Sequence, residues 1–419
     1  MSPKIHRICL VFLFACPAIV IGCASFTPRP MEEIAFQTRA QTQSEGKVRV
    51  TAAVLSPEES KAVFDVPLYK KGIQPIWLEI ENQDDKPIWF LPFSVDPDYY
   101  SPLEVTYPFH RAFDKMYNDQ IDRYFLDQAM GLFLAPGSSR SGYVFTNLDL
   151  GTKSFNVDLI GDDNMVKTFT FFISVPGLRA DHQDVDFDNL YSAAEVVHYD
   201  EVNLKDALKN LPCCTTDKIG TQQDLPINVI IIADDNDLLR VLIRADWSET
   251  ATTKKSSASE PSLYSDFPQS FRYTPVAPLY YYGRSQDASF RQTRASGFER
   301  NQLRLWLSPM RFEEKAVWVG QITREFGDPS FSKKNQKINM DEVRSFSLQN
   351  LWYAQGIEKF GFVQGPGGPT SLSKPRTTFR GVIYVTDGYR AVLWISGDPV
   401  PLSDVEVMDW EIPPEWLSD

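Results

Sequence analysis

The run Pro226-Ile227-Asn228-Val229-Ile230-Ile231-Ile232 is apolar but for Asn228 and largely β-branched. Successive side chains of a strand point to opposite faces, so such a run suits a strand covered by protein on both sides. Asp234-Asp235 follow at once and cap an amphipathic stretch bearing Leu238, Leu239, Leu242 and Trp247. A strand that feeds directly into a helix argues for a mixed α/β unit. Further strands are expected over 275–282, 302–307, 316–323 and 357–363, with a helix over 341–355 and a low-complexity Ser/Thr/Lys loop over 250–261. Two late β-rich runs, 379–386 and 389–396, flank Asp387-Gly388 and predict a C-terminal β-hairpin with a two-residue type I′ turn. A lone hairpin is marginal in water, so this one should pack on the second domain.

The region ahead of that unit reads differently. Alternating runs occur at 48–52, 74–82, 88–92, 141–146, 154–160 and 167–175, with Asp84-Asp85 and Asp162-Asp163-Asn164 at turn positions. Short strands punctuated in this way predict an immunoglobulin-like antiparallel β-sandwich. A helical insertion interrupts it: Ser101-Pro102-Leu103-Glu104 has the order of a capping box, and Phe109, Phe113, Met116, Ile121, Tyr124 and Phe125 follow at roughly helical spacing. That stripe is expected to pack on a sheet face rather than to line a groove for an apolar ligand.

At the N-terminus Lys4, His6 and Arg7 precede an apolar run, 8–21, that ends in Val20-Ile21-Gly22-Cys23. The run is short for a membrane span and suits the core of a cleaved export signal. Cys23 supplies the thiol for lipidation, Gly22 the small residue before the cut and Val20 an aliphatic anchor. Two acyl chains on one cysteine anchor durably. Ala24 in place of aspartate points to the outer membrane, on its periplasmic side. The expected order is therefore a signal over 1–22, a lipidated flexible tether over 23–45, the sandwich over 46–180, an acidic helical linker over 181–216 and the α/β domain over 217–419. The fold class is α+β multidomain.

Removing 22 of 419 residues takes away Lys4 and Arg7 and no acid, so the net charge of −13 becomes −15. Phosphate backbones and anionic headgroups repel such a body, which argues against nucleic acid and leaves the membrane contact to the lipid. Only Cys213 and Cys214 remain beside Cys23. Being adjacent, they read as small residues in a turn more readily than as a redox or soft-metal pair. Asp184, Asp186, Asp188 and Glu195 follow a calcium-loop spacing, but the sixth position is Asn189 where glycine is needed, so they read as acids capping the next helix. That helix presents Leu204, Ala207, Leu208 and Leu211.

Chemical motifs are few. The sequence holds no GxSxG, HExxH, CxxC or phosphate loop, and calls for no cofactor or metal. The candidate ligand site rests on charges at strand ends: Arg284 and Asp287 after one strand, Arg304 and Trp306 on the next, Arg324 and Glu325 at the end of a third. Trp318 could act as a stacking platform for an anion or a sugar. The competing reading is an internal Arg–Asp and Arg–Glu network that fixes the loops.

Four stretches, Pro226-Ile227-Asn228-Val229, Pro278-Leu279-Tyr280-Tyr281-Tyr282-Gly283-Arg284-Ser285-Gln286-Asp287, Leu303-Arg304-Leu305-Trp306 and Val317-Trp318-Val319-Gly320-Gln321-Ile322-Thr323-Arg324-Glu325, resemble the LssY C-terminal domain family. The resemblance covers about 225–365, and the whole chain is similar to lipoprotein members that add an N-terminal sandwich. It implies no established activity. Family members often carry a histidine and extra acids before the late helix. Here the residues are Gln336-Lys337-Ile338-Asn339-Met340-Asp341, so any metal or proton chemistry at that point is expected to be lost. Two functions follow as expectations: a lipid-anchored envelope module that binds a ligand or a protein partner, or a carboxylate-based envelope enzyme using Asp287, Glu325 and Asp341.

Overall fold

The computed structural model describes residues 26–162, 165–252, 270–293, 299–325 and 337–414. Cys23 with the expected signal, and most of the loop over 250–261, lie outside the described residues.

The first domain is built from two antiparallel four-stranded sheets. One has the order β1 (Gln41–Glu45), β2 (Val48–Val54), β3 (Ile73–Asn82) and β6 (Ser138–Asn147). The other has the order β5 (Phe133–Leu134), β4 (Ile88–Leu91), β7 (Thr152–Gly161) and β8 (Val166–Ser174). Their facing sides share one core, in which Val50, Ile76, Leu78 and Val144 meet Phe90, Val157, Leu159 and Phe171. The helices are α1 (Pro57–Phe64), the single turn α2 (Pro92–Val95), α3 (Pro102–Thr106) and α4 (Lys115–Gln128). The expected capping box forms, with Ser101 and Glu104 each bonding the other's backbone N–H. Against the outer side of the first sheet, Ile121 and Phe125 of α4 pack with Phe64, Trp77, Tyr143 and Phe145 in a second core. Only part of the aromatic stripe is core, since Phe113 and Met116 stand in solvent.

The expected tether departs from the sequence reading, because from Phe26 onward it is folded. Phe26, Ile34 and Phe36 are buried in that second core, and β1 pairs with β2 along its length. Gln41 and Gln43 also donate from β1 to the carbonyls of Phe172 and Thr170 on the opposite sheet. An edge strand can be polar when only its backbone is needed, which is why this one carries no alternating signal.

The second domain centres on a sheet that runs, by strand, 248–249, 288–293, 300–312, 315–325, 229–233, 389–395, 357–364, 406–407. Val229–Ala233 is antiparallel to Lys315–Glu325 and parallel to Tyr389–Ile395, and all five of its residues are buried. Alternation divides it: Val229, Ile231 and Ala233 enter one core with Leu238, Leu242, Trp247 and Trp318, while Ile230 and Ile232 enter the other with Trp306 and Trp394. Two motif residues are explained by this strand. Asn228 accepts from Ile322 N and donates to Ile322 O and Met340 O, tying sheet to helix. Gly320 lies opposite Val229, and a Cβ there would sit 2.5 Å from Val229 Cγ1. Helices α6 (Asp235–Arg244) and α7 (Met340–Tyr353) cover one face. On the other lies α5 (Glu201–Asn210), whose Leu204 and Leu208 are fully buried. The later part of the expected linker thus belongs to this domain. Val197–Tyr199 also joins it, pairing parallel with 310–312.

The C-terminal hairpin does not form. Ile383–Val385 pairs with Lys337–Asn339 and Arg376–Thr377 in a small separate sheet, and Tyr389–Ile395 enters the large one. A type I′ turn needs two positive φ angles, and of Asp387 and Gly388 only Gly388 has one, at 86°. The dipeptide therefore redirects the chain between sheets. Doubly covered positions beside Val229–Ala233 bury more apolar surface than a surface hairpin would. Cys213 and Cys214 are joined by a disulfide. They lie beside Gly367 and Arg390, whose guanidinium donates to the carbonyls of Leu208, Leu211 and Pro212. The acids of the calcium-like spacing serve local contacts: Asp184 pairs with Arg179, Asp186 bonds Asn189 and Glu195 bonds Ser192.

Because 389–395 is an inner strand, a chain ending at Pro375 should pellet on expression or be cleaved rapidly by protease. Sedimentation and limited proteolysis check this, and a truncated chain as soluble and resistant as the parent would contradict the topology.

Candidate functional site

The strand-end residues chosen from sequence do not converge. Arg284 grips Asp287 through Nε–Oδ1 at 2.9 Å and Nη2–Oδ2 at 2.7 Å, and also donates to Leu307 O and Tyr191 Oη. Asp287 Oδ2 accepts from Leu307 N. Trp306 is fully buried and donates to Arg284 O. Arg304 is buried among Gln302, Gln321 and Ala277 O, and burial pushes its pKa down to about 10. Trp318 lies on the opposite sheet face and meets Phe187 edge to face at 5.5 Å. Arg324 bonds Asn301 and lies over Phe346, while Glu325 pairs with Arg300. These groups bond to the fold itself, as in the competing reading.

A polar cleft lies between the two domains instead. Its volume is about 370 Å³. The sandwich contributes Ser154, Asn156, Thr170 and Phe172 of β7 and β8, and the second domain contributes Arg244, Asp246, Glu249 and Arg272. The walls are tied by Leu150 N donating to Tyr273 Oη at 3.1 Å and by Arg240 over the ring of Phe172 at 5.5 Å. Burial raises the pKa of Asp246, whose partner Arg272 is 3.6 Å away.

Glu249 is the unusual member. It is 3% exposed, and its Oε1 lies 3.2 Å from His182 Nε2. Oε2 has no hydrogen-bond partner among the described residues, and neither has His182 Nδ1. Leaving a buried carboxylate oxygen unpaired costs free energy on the order of a kcal/mol or more. Gly151 covers this oxygen with φ at 79°, and a Cβ there would sit 2.5 Å from it. Behind it, buried Asp181 accepts from Ser289 Oγ at 2.8 Å and Gln286 Nε2 at 3.3 Å, and Ser289 Oγ lies 2.6 Å from Thr250 Oγ1. The arrangement combines hydroxyl and amide groups, both signs of charge and the ring of Phe172, which suits a small hydrogen-bonding ligand. Sequence reasoning missed this site because its parts come from segments far apart in the chain. Glu249, in Trp247-Ser248-Glu249-Thr250, looks like any acid after a helix.

A second cluster involves an acid already singled out. Asp341, in the first turn of α7, accepts from Thr386 Oγ1 at 3.1 Å and Asp387 N at 2.8 Å. Asp387 holds both Nη atoms of the buried Arg344 at 2.7 and 2.8 Å. Burial and the neighbouring Asp387 push the pKa of Asp341 up to about 7. Sequence reasoning took Asp387 only as a turn residue.

Fold and cleft define a two-domain, β-rich protein with a sandwich placed ahead of a mixed α/β domain. Residues 208–389, most of the second domain, match the family described as LssY C-terminus. The match starts inside α5 and stops at the first residue of the inner strand Tyr389–Ile395. No curated protein matches the chain.

Two outcomes follow. Removing either Arg284 or Asp287 strands its partner in a largely buried position and should cost about 3 kcal/mol. The double variant should cost clearly less than the sum in chemical denaturation, and full additivity would refute the coupling. For Asp341, the folded pKa lies above the ordinary value of about 4, so the folded state holds the proton more tightly. Stability should therefore fall as pH rises from about 4 to about 7 and level off above, and Asp341→Asn should flatten that fall. Melting curves across pH check it, and an unchanged slope in the variant would contradict it.

Proposed function

We propose that this protein is a lipid-anchored binding module of the cell envelope, held through Cys23 on the periplasmic side of the outer membrane, with its ligand seated in the interdomain cleft. Its first domain is taken to be an immunoglobulin-like sandwich, on the strength of the two antiparallel sheets that β1–β8 form. The observation that carries the reading is the cleft that both domains line, in whose wall Glu249 Oε2 is a buried acceptor with no hydrogen-bond partner among the described residues. The cleft walls offer a ligand the hydroxyls of Ser154 and Thr170, the Asn156 amide and the charges of Asp246 and Arg272. Hydroxyl-rich or amine-bearing envelope components match these groups. The mature charge of −15 disfavours polyanions, and an envelope protein partner can be presented with the same groups.

A second reading, an envelope enzyme acting through paired carboxylates, is favoured by one observation: Asp341 holds a proton near neutral pH beside Asp387. Such a pair could divide acid and base roles. Every oxygen of the pair already bonds the fold, however, and that favours binding.

The test is native mass spectrometry of full chain recovered from envelope extract. The chain should carry a small adduct that is released unchanged. Glu249→Gln and, on the other wall, Asn156→Ala should each lose it while melting like the parent. An adduct kept by both variants, or found chemically converted, would overturn the binding reading. Palmitate labelling that persists in Cys23→Ser would refute the anchor.

A further inference from the structure

We propose that the corner of the first domain formed by the α3–α4 insertion lies against the lipid bilayer, inserting Phe113 and Met116 into its interface. This rests on the lipid anchor of the proposed function and adds to it the orientation of the whole molecule.

The described chain begins at Phe26. Phe26 is 5% exposed and packs edge to face on two rings of α4, Tyr117 at 6.2 Å and Tyr124 at 5.3 Å between centroids. Only three peptide units separate it from Cys23, so the two α-carbons lie at most about 11 Å apart whatever path the chain takes. A lipid on Cys23 therefore emerges beside α4. Thr27 N is bonded to Asp65 Oδ2 and Arg29 N to Ala62 O, which fixes the direction in which the chain leaves towards α1. The folded body cannot swing away from the bilayer as it could on a long free tether.

The surface at that corner suits a bilayer. Phe113 is 101% exposed, Met116 84% and Tyr107 75%. All three sit at the N-terminal end of α4 or in the turn packed on it: Arg111 lies over the Tyr117 ring at 3.4 Å, and the Arg111 backbone is bonded both ways to the Asn118 side chain. The stripe gives its other half, Ile121 and Phe125, to the core, so these outward residues are not unused core positions. Arg111 pairs with Asp114 and Lys115 with Asp119, and the His110 ring is hydrogen-bonded to Asp122. Insertion there rests on apolar burial, since residues 101–128 carry three basic against five acidic side chains. Aromatic and thioether side chains on a helix lying in the interface contribute apolar burial without a net charge.

The experiment uses lipidated full chain reconstituted into phosphatidylethanolamine/phosphatidylglycerol vesicles containing shallow spin-labelled lipid. A fluorophore is placed at Phe113→Cys, at Met116→Cys or, as a control on the second domain, at Val202→Cys. Emission should fall about twofold at 113 and 116, as expected for side chains buried ~5–10 Å deep, and stay unchanged at 202. The mass of the same sample reports acylation. An acylated chain with 113 no more quenched than 202 overturns the proposal and leaves the anchor standing. A chain that carries no acyl group overturns both. Emission insensitive to spin-labelled lipid but dependent on protein concentration would assign the corner to a second copy, again against the proposal.

Discussion

Everything in the second domain depends on the double burial of Val229–Ala233. Five consecutive residues give their side chains alternately to two cores, the valine and the three isoleucines contributing roughly 1.5–3 kcal/mol each. A strand in that position needs a neighbour on each edge. Lys315–Glu325 supplies one, running antiparallel, and Tyr389–Ile395 supplies the other, running parallel, both from far along the chain. Gly320 and Asn228 are consequences of this packing: the first makes room for Val229, and the second closes the backbone bonds at the strand's entry.

The same constraint places the cleft. α6 leaves the central strand and ends at Arg244, and the chain then passes through Trp247, buried in one core, to Glu249, which pairs with Phe290 at the sheet's far edge. That edge meets β7 and β8 of the sandwich. The carboxylate is therefore carried by a rigid element, while its covering, Gly151, comes from the loop before β7. A site assembled from two packed domains can hold a ligand without either domain changing its own fold.

Strands with strong periodicity were legible in the sequence: the runs at 74–82, 154–160 and 167–175 match β3, β7 and β8 to within two residues. So was the strand–helix unit at 229–244. Pairing was not. Asp387-Gly388 carries the local chemistry of a hairpin, but tertiary burial beside Val229–Ala233 outweighs a turn preference. The polar strand β1 and the isolated Phe26, Ile34 and Phe36 carry no period at all. The candidate charges were legible as a network only in part, since Arg284 and Asp287 are three residues apart and Arg324 and Glu325 find Asn301 and Arg300 on a neighbouring strand. Glu249 and His182 were illegible, because 67 residues separate them and neither lies in a motif.

The proposed ligand would occupy the cleft and touch both domains. Hydrogen–deuterium exchange of the full chain, with and without the small-molecule fraction of an envelope extract, tests it directly. Binding in the cleft should slow exchange together in 150–156 and 168–172 on the sandwich side and in 244–251 on the other, leaving 284–287 and 318–325 unchanged. Protection confined to the strand ends around 284–287 and 318–325, with both cleft walls unaffected, would rule out a ligand in the cleft.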